Sequence, residues 1–287
     1  MAITQVIPEV WSARWLMDLY RAFTWREAVT DYTADLARGN KLHIGRLSDP
    51  TIGDYTVGTA IPAPTALTDT KETLTLDKQK YFNFMVDDID ERQAQPNVSN
   101  EGLRRASIQM MKTVDDDIFT TYKTGIPSGS MVSIAAPKDD LSDVKATRAT
   151  LAQAVRKAIK VMDDKEWPVD QRYMRVPTKV KYYLIEYLAD VGIDGGNLGS
   201  AGSVFQDGKL SSYFGLNVRT TTSIPNSETS GDVQVAFGLN SAIAFAMQID
   251  SFEAYRPESF FADAFKGLQT YGSARVQDDH QYAIVAT

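Results

Sequence analysis

Apolar residues recur at the three- and four-residue spacing of an amphipathic helix in four stretches of the chain. The first, residues 8–29, places Trp11 and Trp15 on one apolar stripe. Packing on the chain's own core and packing on a neighbouring subunit explain this stripe equally well. The longest, residues 100–123, predicts a helix of about 36 Å, which is long for a globular protein. Two shorter helices are predicted near residues 151–162 and 178–188.

A period-two alternation predicts a long β-hairpin over residues 41–86. Residues 41–47 form the outgoing arm, and the even positions from Leu74 to Val86 form one face of the return arm. Lys78 and Lys80 interrupt the apolar residues of that face and indicate that the middle of the return arm is exposed to solvent. The pattern therefore predicts one continuous return strand.

The segment between the two arms, residues 55–68, contains no charged residue and carries two prolines. Loops are normally polar, and a loop of this length usually has a function of its own. An uncharged, proline-stiffened tip on a long arm cannot build its own core, so we expect it to lie on another molecule. Together with the two tryptophans of the first helix, the predicted subunit-interface residues are Trp11, Trp15, Tyr55, Val57, Ile61, Pro62, Pro64 and Leu67.

The second half of the chain mixes helices with short strands. A stretch rich in glycine and serine, residues 192–203, predicts a flexible loop. Because helices and strands do not alternate regularly, the predicted fold class is α+β rather than a doubly wound sheet. Strands are predicted near residues 172–176, 217–222, 233–237, 242–249, 252–256, 267–276 and 281–286.

Composition narrows the possible functions. The 287 residues include 30 basic and 37 acidic side chains, and the net charge of −7 disfavours a dedicated nucleic-acid binder. The absence of cysteine excludes disulfides and thiol chemistry. The first residues lack the pattern of a secretory signal. The longest uncharged apolar stretch, residues 233–249, is too short to cross a bilayer.

No motif in the sequence forms a complete catalytic site, so we expect no enzyme activity, no cofactor and no metal. The glycines of residues 192–203 do not have the dinucleotide-binding spacing. Residues 208–209 resemble the end of a phosphate-binding loop but lack its earlier glycine and its hydroxyl residue. His43 and His280 are far apart in the chain, and each favours an ordinary surface or arm role.

Two acidic runs are candidates for cation binding. Asp115, Asp116 and Asp117 occupy consecutive helical positions, which point about 100° apart, so a solvated helix face is favoured over a metal site. The run at residues 87–91 lacks the glycine turn and closing glutamate of a calcium-binding loop. A structural cation at that second run is a minor alternative.

The order of these elements resembles the major capsid proteins of tailed bacteriophages, the Hong Kong 97-type coat fold. The resemblance covers nearly the whole chain and depends on the order of several short patterns rather than on any one of them. These patterns are residues 7–12, residues 80–88 at the exit of the hairpin, Ile224-Pro225, residues 244–249 and Tyr271-Gly272.

The resemblance implies four structural parts, and their expected bounds in this sequence are as follows. An N-arm would cover residues 1–35 and an extended loop residues 36–85. A peripheral domain with a spine helix would combine residues 86–140 and 250–287, and an axial domain would cover residues 141–249. In such shells the axial domains meet around five- and six-fold axes, while the extended loop lies across the next subunit.

The implied function is assembly without catalysis: a virion shell of pentamers and hexamers that encloses double-stranded DNA and is built in the host bacterial cytoplasm. The implied partners are further copies of the chain, a portal and the packaged DNA, which is contacted without sequence specificity. A membrane is not among them. A negatively charged subunit suits a container that confines DNA without gripping it.

Two departures from the family pattern change the expectation. Some members crosslink a lysine of the extended loop to an asparagine of a neighbour, but residues 47–70 contain no lysine. We therefore expect non-covalent contacts, helped by a possible cement or decoration protein. Some members also begin with a long scaffolding segment, whereas the first predicted helix starts near residue 8, so a separate scaffolding protein is expected.

Two other functions stay open at this point. An encapsulin-like nanocompartment shell has the same fold and size but packages protein cargo. A hydrolase that uses residues 192–203 is the other, although no nucleophile and base pair supports it.

Overall fold

The computed structural model describes residues 24–36, 39–48, 50–60, 63–64, 66–88, 98–138, 145–190, 212–225 and 229–287. Trp11, Trp15, Ile61 and Pro62 lie outside this range, as do the loop at residues 192–203 and nearly all of the first predicted helix. The helices are α1 (Val98–Thr124), α2 (Lys145–Asp164) and α3 (Thr178–Asp190). The strands are β1 (Thr30–Asp31), β2 (Lys41–Leu47), β3 (Asp69–Thr75), β4 (Lys78–Asp87), β5 (Met131–Ile134), β6 (Arg172–Val176), β7 (Ser212–Tyr213), β8 (Leu216–Thr220), β9 (Val233–Leu239), β10 (Ile243–Tyr255), β11 (Ala262–Arg275) and β12 (Gln281–Ala286).

The long helix α1 confirms the helical prediction almost to the residue. At 27 residues it is about 40 Å long. Val114, Ile118 and Tyr122, which belong to its predicted apolar stripe, are buried. The helix ends before Gly125, where the guanidinium of Arg275 occupies the space that a Cβ would need. A glycine at this position therefore lets β11 approach the end of the helix.

Six strands form the central sheet in the order β5-β12-β9-β6-β8-β7. One face packs on α2 and α3 through a cluster that includes Val155, Tyr183, Met174 and Phe237. The opposite face contributes Tyr173 and Ala236 to a second cluster, which contains the buried side of α1. The sheet is therefore covered by helices on both faces.

Four strands form the outer sheet in the order β1-β10-β11-β4. Its main part is the antiparallel pair β10 and β11, of 13 and 14 residues. The sequence predicted two separate strands at residues 242–249 and 252–256, but β10 is one strand with a shift in register between Ile249 and Ser251. The long partner β11 keeps both halves in one ladder across this irregularity.

The hairpin prediction is right for the outgoing arm and wrong for the return arm. Residues of β2 pair with β3 from Lys41↔Thr75 to Leu47↔Asp69. The predicted single return strand then divides, and β4 pairs with β11 in the outer sheet. The even positions from Leu74 to Val86 are nevertheless the more buried ones, because the end of β3 and all of β4 place the same side of the chain on the core of the protein.

The two sheets divide the chain at points other than the expected boundaries at residues 140 and 249. The strands β5 and β12 were expected in the peripheral part, but both pair within the central sheet. The strand β10 belongs to the outer sheet from Ile243 onwards. These partners are distant in sequence, so a local pattern could not indicate them. The four-part division itself stays a prediction.

The chain enters the described region in a turn rather than in a helix. The first helix was predicted to reach residue 29, but Arg26–Ala28 is a single 3₁₀ turn, and β1 follows it. The turn places Trp25 in the core with none of its surface exposed. Burial of this indole is a tertiary contact, which outweighs the helical tendency of the local sequence.

We predict that Gly272→Ala destabilises the protein by about 1–3 kcal/mol, measured by chemical denaturation. A Cβ at residue 272 would overlap with the carbonyl oxygen of Thr75, so the end of β3 would have to move away from β11. Gly45→Ala is the control, since nothing lies within 4 Å of a Cβ at that position. Equal stability of the two variants would contradict the prediction.

Candidate assembly site

The three consecutive aspartates of α1 are not a solvated helix face. Asp115 is buried, and Asp116 and Asp117 are half-buried. Positions 115 and 117 differ by about 200° around the helix, so their carboxylates point to opposite sides. Each carboxylate accepts hydrogen bonds from a different part of the chain. The run is therefore a structural connection between two neighbours of the helix.

The carboxylate of Asp115 holds the first described residues of the chain. The amide of Thr24 donates to Oδ2 at 3.1 Å, its hydroxyl donates to the same oxygen, and the amide of Trp25 donates to Oδ1 at 3.4 Å. Burial raises the pKa of Asp115, and these hydrogen bonds oppose that shift. The indole of Trp25 lies against Phe119 and Tyr122, with ring centroids 5.7 and 5.5 Å away. This end of the N-terminal segment is thus fastened to α1.

A buried cation lies beside this connection. None of the three guanidinium nitrogens of Arg175 has a hydrogen-bond partner among the described residues. The guanidinium lies 5.3 Å from the ring centroid of Tyr173, which supplies a cation–π contact instead. Burial lowers the pKa of Arg175 to about 10, while the charges of Glu27 and Asp115 oppose that change. The negative charge of Asp115 therefore also compensates a charge in the central sheet.

The carboxylate of Asp117 points to the outer sheet. It accepts a hydrogen bond from the hydroxyl of Tyr271 on β11, and burial together with this bond raises the pKa of that hydroxyl. The ammonium groups of Lys78 and Lys80 on β4 lie 3.7 and 4.0 Å from its oxygens. Their side chains stay 27% and 43% exposed, so the middle of this strand is partly solvated, and it also lies beside a charge of α1. Their positive charges fasten the exit of the hairpin to α1.

The far end of α1 is joined to the central sheet by Tyr122. Its hydroxyl donates to the carbonyl oxygen of Tyr282 at 2.6 Å and accepts from the amide of Phe237 at 3.1 Å. These two residues face each other on β12 and β9. One helix thus carries polar contacts to the N-terminal segment, the outer sheet and the central sheet.

The base of the hairpin is packed on the body of the protein. Leu74, Leu76, Ala244 and Ala246 are buried in one cluster, and the partly buried Leu42 packs against it. The outgoing and return strands are thereby held at their roots. Beyond this cluster the hairpin continues without cover from the described part of the chain.

The tip of the hairpin exposes apolar side chains, as the sequence predicted for Tyr55, Val57, Pro64 and Leu67. Val57 is 89% exposed and precedes Gly58 in a turn that the amide of Thr59 closes by donating to the carbonyl of Thr56 at 3.1 Å. Gly58 has φ +87°, a conformation that glycine adopts without strain. The turn therefore presents a valine outwards.

Sequence analysis missed two exposed apolar residues of the same loop. Ile52 is 93% exposed, and Leu47 at the end of β2 is also exposed. Both precede Asp54, while the search was confined to the uncharged run that begins at residue 55. An apolar count over all of residues 47–68, with single aspartates tolerated, would have included them.

A polar cavity of about 350 Å³ lies between the hairpin and the turn before β12. Arg46 and Glu72 line it from the hairpin, and Arg275, Asp278 and Asp279 line it from the body. Arg275 is paired with Asp278 at 3.0 Å. Charged groups of both signs therefore meet where the projecting arm leaves the body.

His280 follows this cavity and is more enclosed than a surface residue. Its ring lies 5.7 Å from Trp167 in an edge-to-face contact, and Nδ1 shares a hydrogen bond with Gln277. Burial lowers the pKa of His280, and the positive charges of Arg46 and Lys165 lower it further. The imidazole is thus held neutral between cations of the hairpin and of the body.

Within the described ranges, no group of three or more His, Asp or Glu side chains could hold a metal ion. In the same part of the chain, no helix is long and apolar enough to cross a membrane.

Comparisons with known proteins identify the fold. No family model matches the sequence, and curated protein sequences give no match either. A solved structure from Mycobacterium phage Che8 superposes with a TM-score of 0.71 and 22% identity over 91% of this chain and 90% of that chain. The capsid structure of the cyanophage P-SCSP1u gives a TM-score of 0.73 at 15% identity, over 93% and 88%. The chain has the Hong Kong 97-type capsid fold.

The chain is also similar to a virus-like particle from Pyrococcus furiosus. Its crystal structure matches 97% of this chain and 99% of its own, with a TM-score of 0.59 and 9% identity. The predicted α+β class and the predicted fold are thus confirmed.

We predict that Asp115→Ala lowers the free energy of unfolding by about 2–3 kcal/mol, because the amides of Thr24 and Trp25 lose their acceptor. Asp115→Asn keeps a carbonyl oxygen and should lose less. Asp116→Ala, at the half-exposed position next to it, should change stability by less than about 0.5 kcal/mol. Chemical denaturation of the three variants provides the measurement, and an unaffected Asp115→Ala protein would refute the role of this carboxylate.

The lowered pKa of His280 predicts a dependence of stability on pH. The folded state binds the proton less tightly than the unfolded chain does, so stability should fall as the pH is lowered below about 6.5. His280→Gln should remove this part of the slope between pH 7 and 5, whereas His43→Gln at the exposed histidine should leave it. Thermal melting across this pH range tests both, and a slope that survives in His280→Gln would contradict the assignment.

Proposed function

We propose that this chain is the major capsid protein of a tailed bacteriophage and assembles into the icosahedral shell that encloses its double-stranded DNA. The observation that carries the proposal is the uncovered apolar tip on an arm whose base is firmly packed. The capsid structure of the cyanophage P-SCSP1u has the same fold, which supports it. The location of the assembled protein is then the virion.

The arrangement of contacts explains how such a subunit would work. The helix α1 joins the N-terminal segment and both sheets, so the body is stiff enough to define an angle between neighbours. The hairpin projects from this body, and burial of a side chain such as Ile52 or Val57 under a neighbour contributes about 1.5–3 kcal/mol. A contact between unlike surfaces of identical subunits generates rings when the rotation between subunits closes, which is the geometry of pentamers and hexamers.

The charge of the subunit fits a container. A net charge of −7 limits adhesion of the packaged DNA to the wall, so contact with the phosphates would be weak and independent of sequence. A portal, a separate scaffolding protein and a cement protein are further partners expected from the family resemblance. Because residues 47–70 contain no lysine, the shell would be held by non-covalent contacts.

The second candidate is an encapsulin-like compartment, which the similarity to the virus-like particle of Pyrococcus furiosus favours. The two functions differ in their cargo, since one shell holds DNA and the other holds protein. Particles isolated from their natural source distinguish them by nucleic-acid content. The higher TM-scores of the two phage structures favour the first.

We predict that the purified protein forms closed shells visible by negative-stain microscopy, and that Val57→Asp prevents this. A charge at the tip would have to be buried at the contact, at a cost that an exposed monomer does not incur. Val57→Thr is the matched control and should still assemble. Both variants should unfold at the same denaturant concentration as the unchanged protein, because the residue is exposed.

Protein that stays monomeric at every concentration, with and without a scaffolding protein, would overturn the proposed function. Assembly of Val57→Asp as efficient as that of Val57→Thr would overturn the role of the tip. Denatured shells should give a single band of 31.8 kDa, whereas a ladder of crosslinked subunits would contradict the non-covalent shell.

A further inference from the structure

The strand β4 has one free edge. It is the last strand of the outer sheet, and its other edge pairs with β11 from Ala262↔Asp87 to Tyr271↔Lys78. No strand within the described residues pairs with the free edge. With ten residues, β4 is the longest edge strand among the sheets of the described part.

The register shows which backbone groups the free edge presents. The amide of Asp88 donates to the carbonyl of Phe261, which continues the pairing of β4 with β11. The backbone N–H and C=O groups of successive residues in an antiparallel strand point to alternate sides. Those of the even residues of β4 therefore point towards β11. The odd residues, among them Tyr81, Asn83 and Met85, therefore direct their N–H and C=O groups to the free edge.

The middle of the edge, residues 81–86, lacks the features that protect natural sheets from further pairing, whereas charged residues lie at its two ends. Such features are charged residues, prolines and bulges. Residues 81–86 contain no charge and no proline, and the pairing with β11 continues without a shift in register. Tyr81 is 77% exposed and Met85 57%, both on the face turned away from α1. An unprotected edge beside two exposed apolar side chains is suited to receive another strand.

We propose that this edge receives a strand of the β2–β3 hairpin from a second copy of the chain, through main-chain hydrogen bonds at Tyr81, Asn83 and Met85. The proposal rests on the proposed function and names the surface that one subunit offers to the arm of the next. Addition of a strand to a sheet edge is a general mode of recognition in which main-chain bonds provide the affinity.

The hairpin is long enough to pair with this edge, and its outer edges carry backbone N–H and C=O groups that can form the hydrogen bonds. Its strands have seven residues each, and no strand within the described residues pairs with their outer edges. The amide of Ser48 donates to Thr68 and that of Leu76 to Asn40, so the even residues bond within the hairpin. Odd residues, such as Gly45 and Lys71, therefore direct their backbone groups outwards on β2 and β3.

Symmetry favours the hairpin over a second β4 strand as the occupant. Two β4 strands would pair about a two-fold axis, and such a contact ends at a dimer. A hairpin on a β4 edge joins unlike surfaces and leaves a free hairpin and a free edge at the two ends, and such a contact generates a ring when the rotation between subunits closes. Rings of five and six are what the proposed shell requires.

The first test compares Asn83→Pro with Asn83→Thr. Proline removes an N–H that faces the free edge and is tolerated on edge strands, whereas threonine keeps that N–H. We expect Asn83→Pro to melt as a folded protein and to lower the yield of particles about tenfold or more, while Asn83→Thr assembles normally. Particles from all three proteins would overturn the pairing and leave the proposed function standing. No particles from the unchanged protein would overturn both.

The second test uses the absence of cysteine from the chain. Asn83→Cys is combined with Gly45→Cys or with Lys71→Cys, and assembled particles are oxidised and separated on a denaturing gel. A ladder of linked subunits from either double variant, and none from the single variants, supports the proposal. Dimers from Asn83→Cys alone would show β4 paired with β4 and overturn it, as would the absence of any crosslink in assembled particles.

Discussion

The structure depends on satisfying the buried polar groups of one long helix, α1. A buried carboxylate or hydroxyl is costly unless it is hydrogen-bonded. Asp115, Asp117 and Tyr122 meet this requirement with partners from three separate parts of the chain. Each contact stabilises the helix and at the same time determines where a neighbouring element lies. The relative position of the two sheets follows from these contacts together with the apolar cluster that surrounds them.

The hairpin has the opposite property, since its distal part has nothing in the described chain to pack on. Its root is buried in a small cluster of leucine and alanine side chains, while the side chains of Ile52 and Val57 remain in water. A stiff body and an arm with uncovered apolar side chains are both suited to a subunit of a larger assembly. The energy that the arm does not gain within one chain is available for contact with another.

Local sequence patterns predicted much of this structure. The spacing of apolar residues predicted α1 closely, because a helix of this length presents the same face through more than seven turns. The exposed tip was predicted from an uncharged run with prolines, because charge is what normally keeps a loop in water. The alternation that ends at Val86 gave the correct faces but not the correct partners. A strand shows from its own sequence which side is buried, yet the same pattern fits any apolar surface.

The acidic run of α1 shows most clearly what the sequence could not predict. Three consecutive aspartates favour the prediction of a solvated helix face, because carboxylates are exposed in most proteins. Only the folded chain brings Thr24, Tyr271 and the two lysines of β4 to them. The sequence by itself determined helices α1, α2 and α3, the faces of the strands and the exposed tip of the hairpin, since these depend on residues a few positions apart. The tertiary structure decided which strands share a sheet and which charges are buried, since those depend on partners up to about 210 residues away.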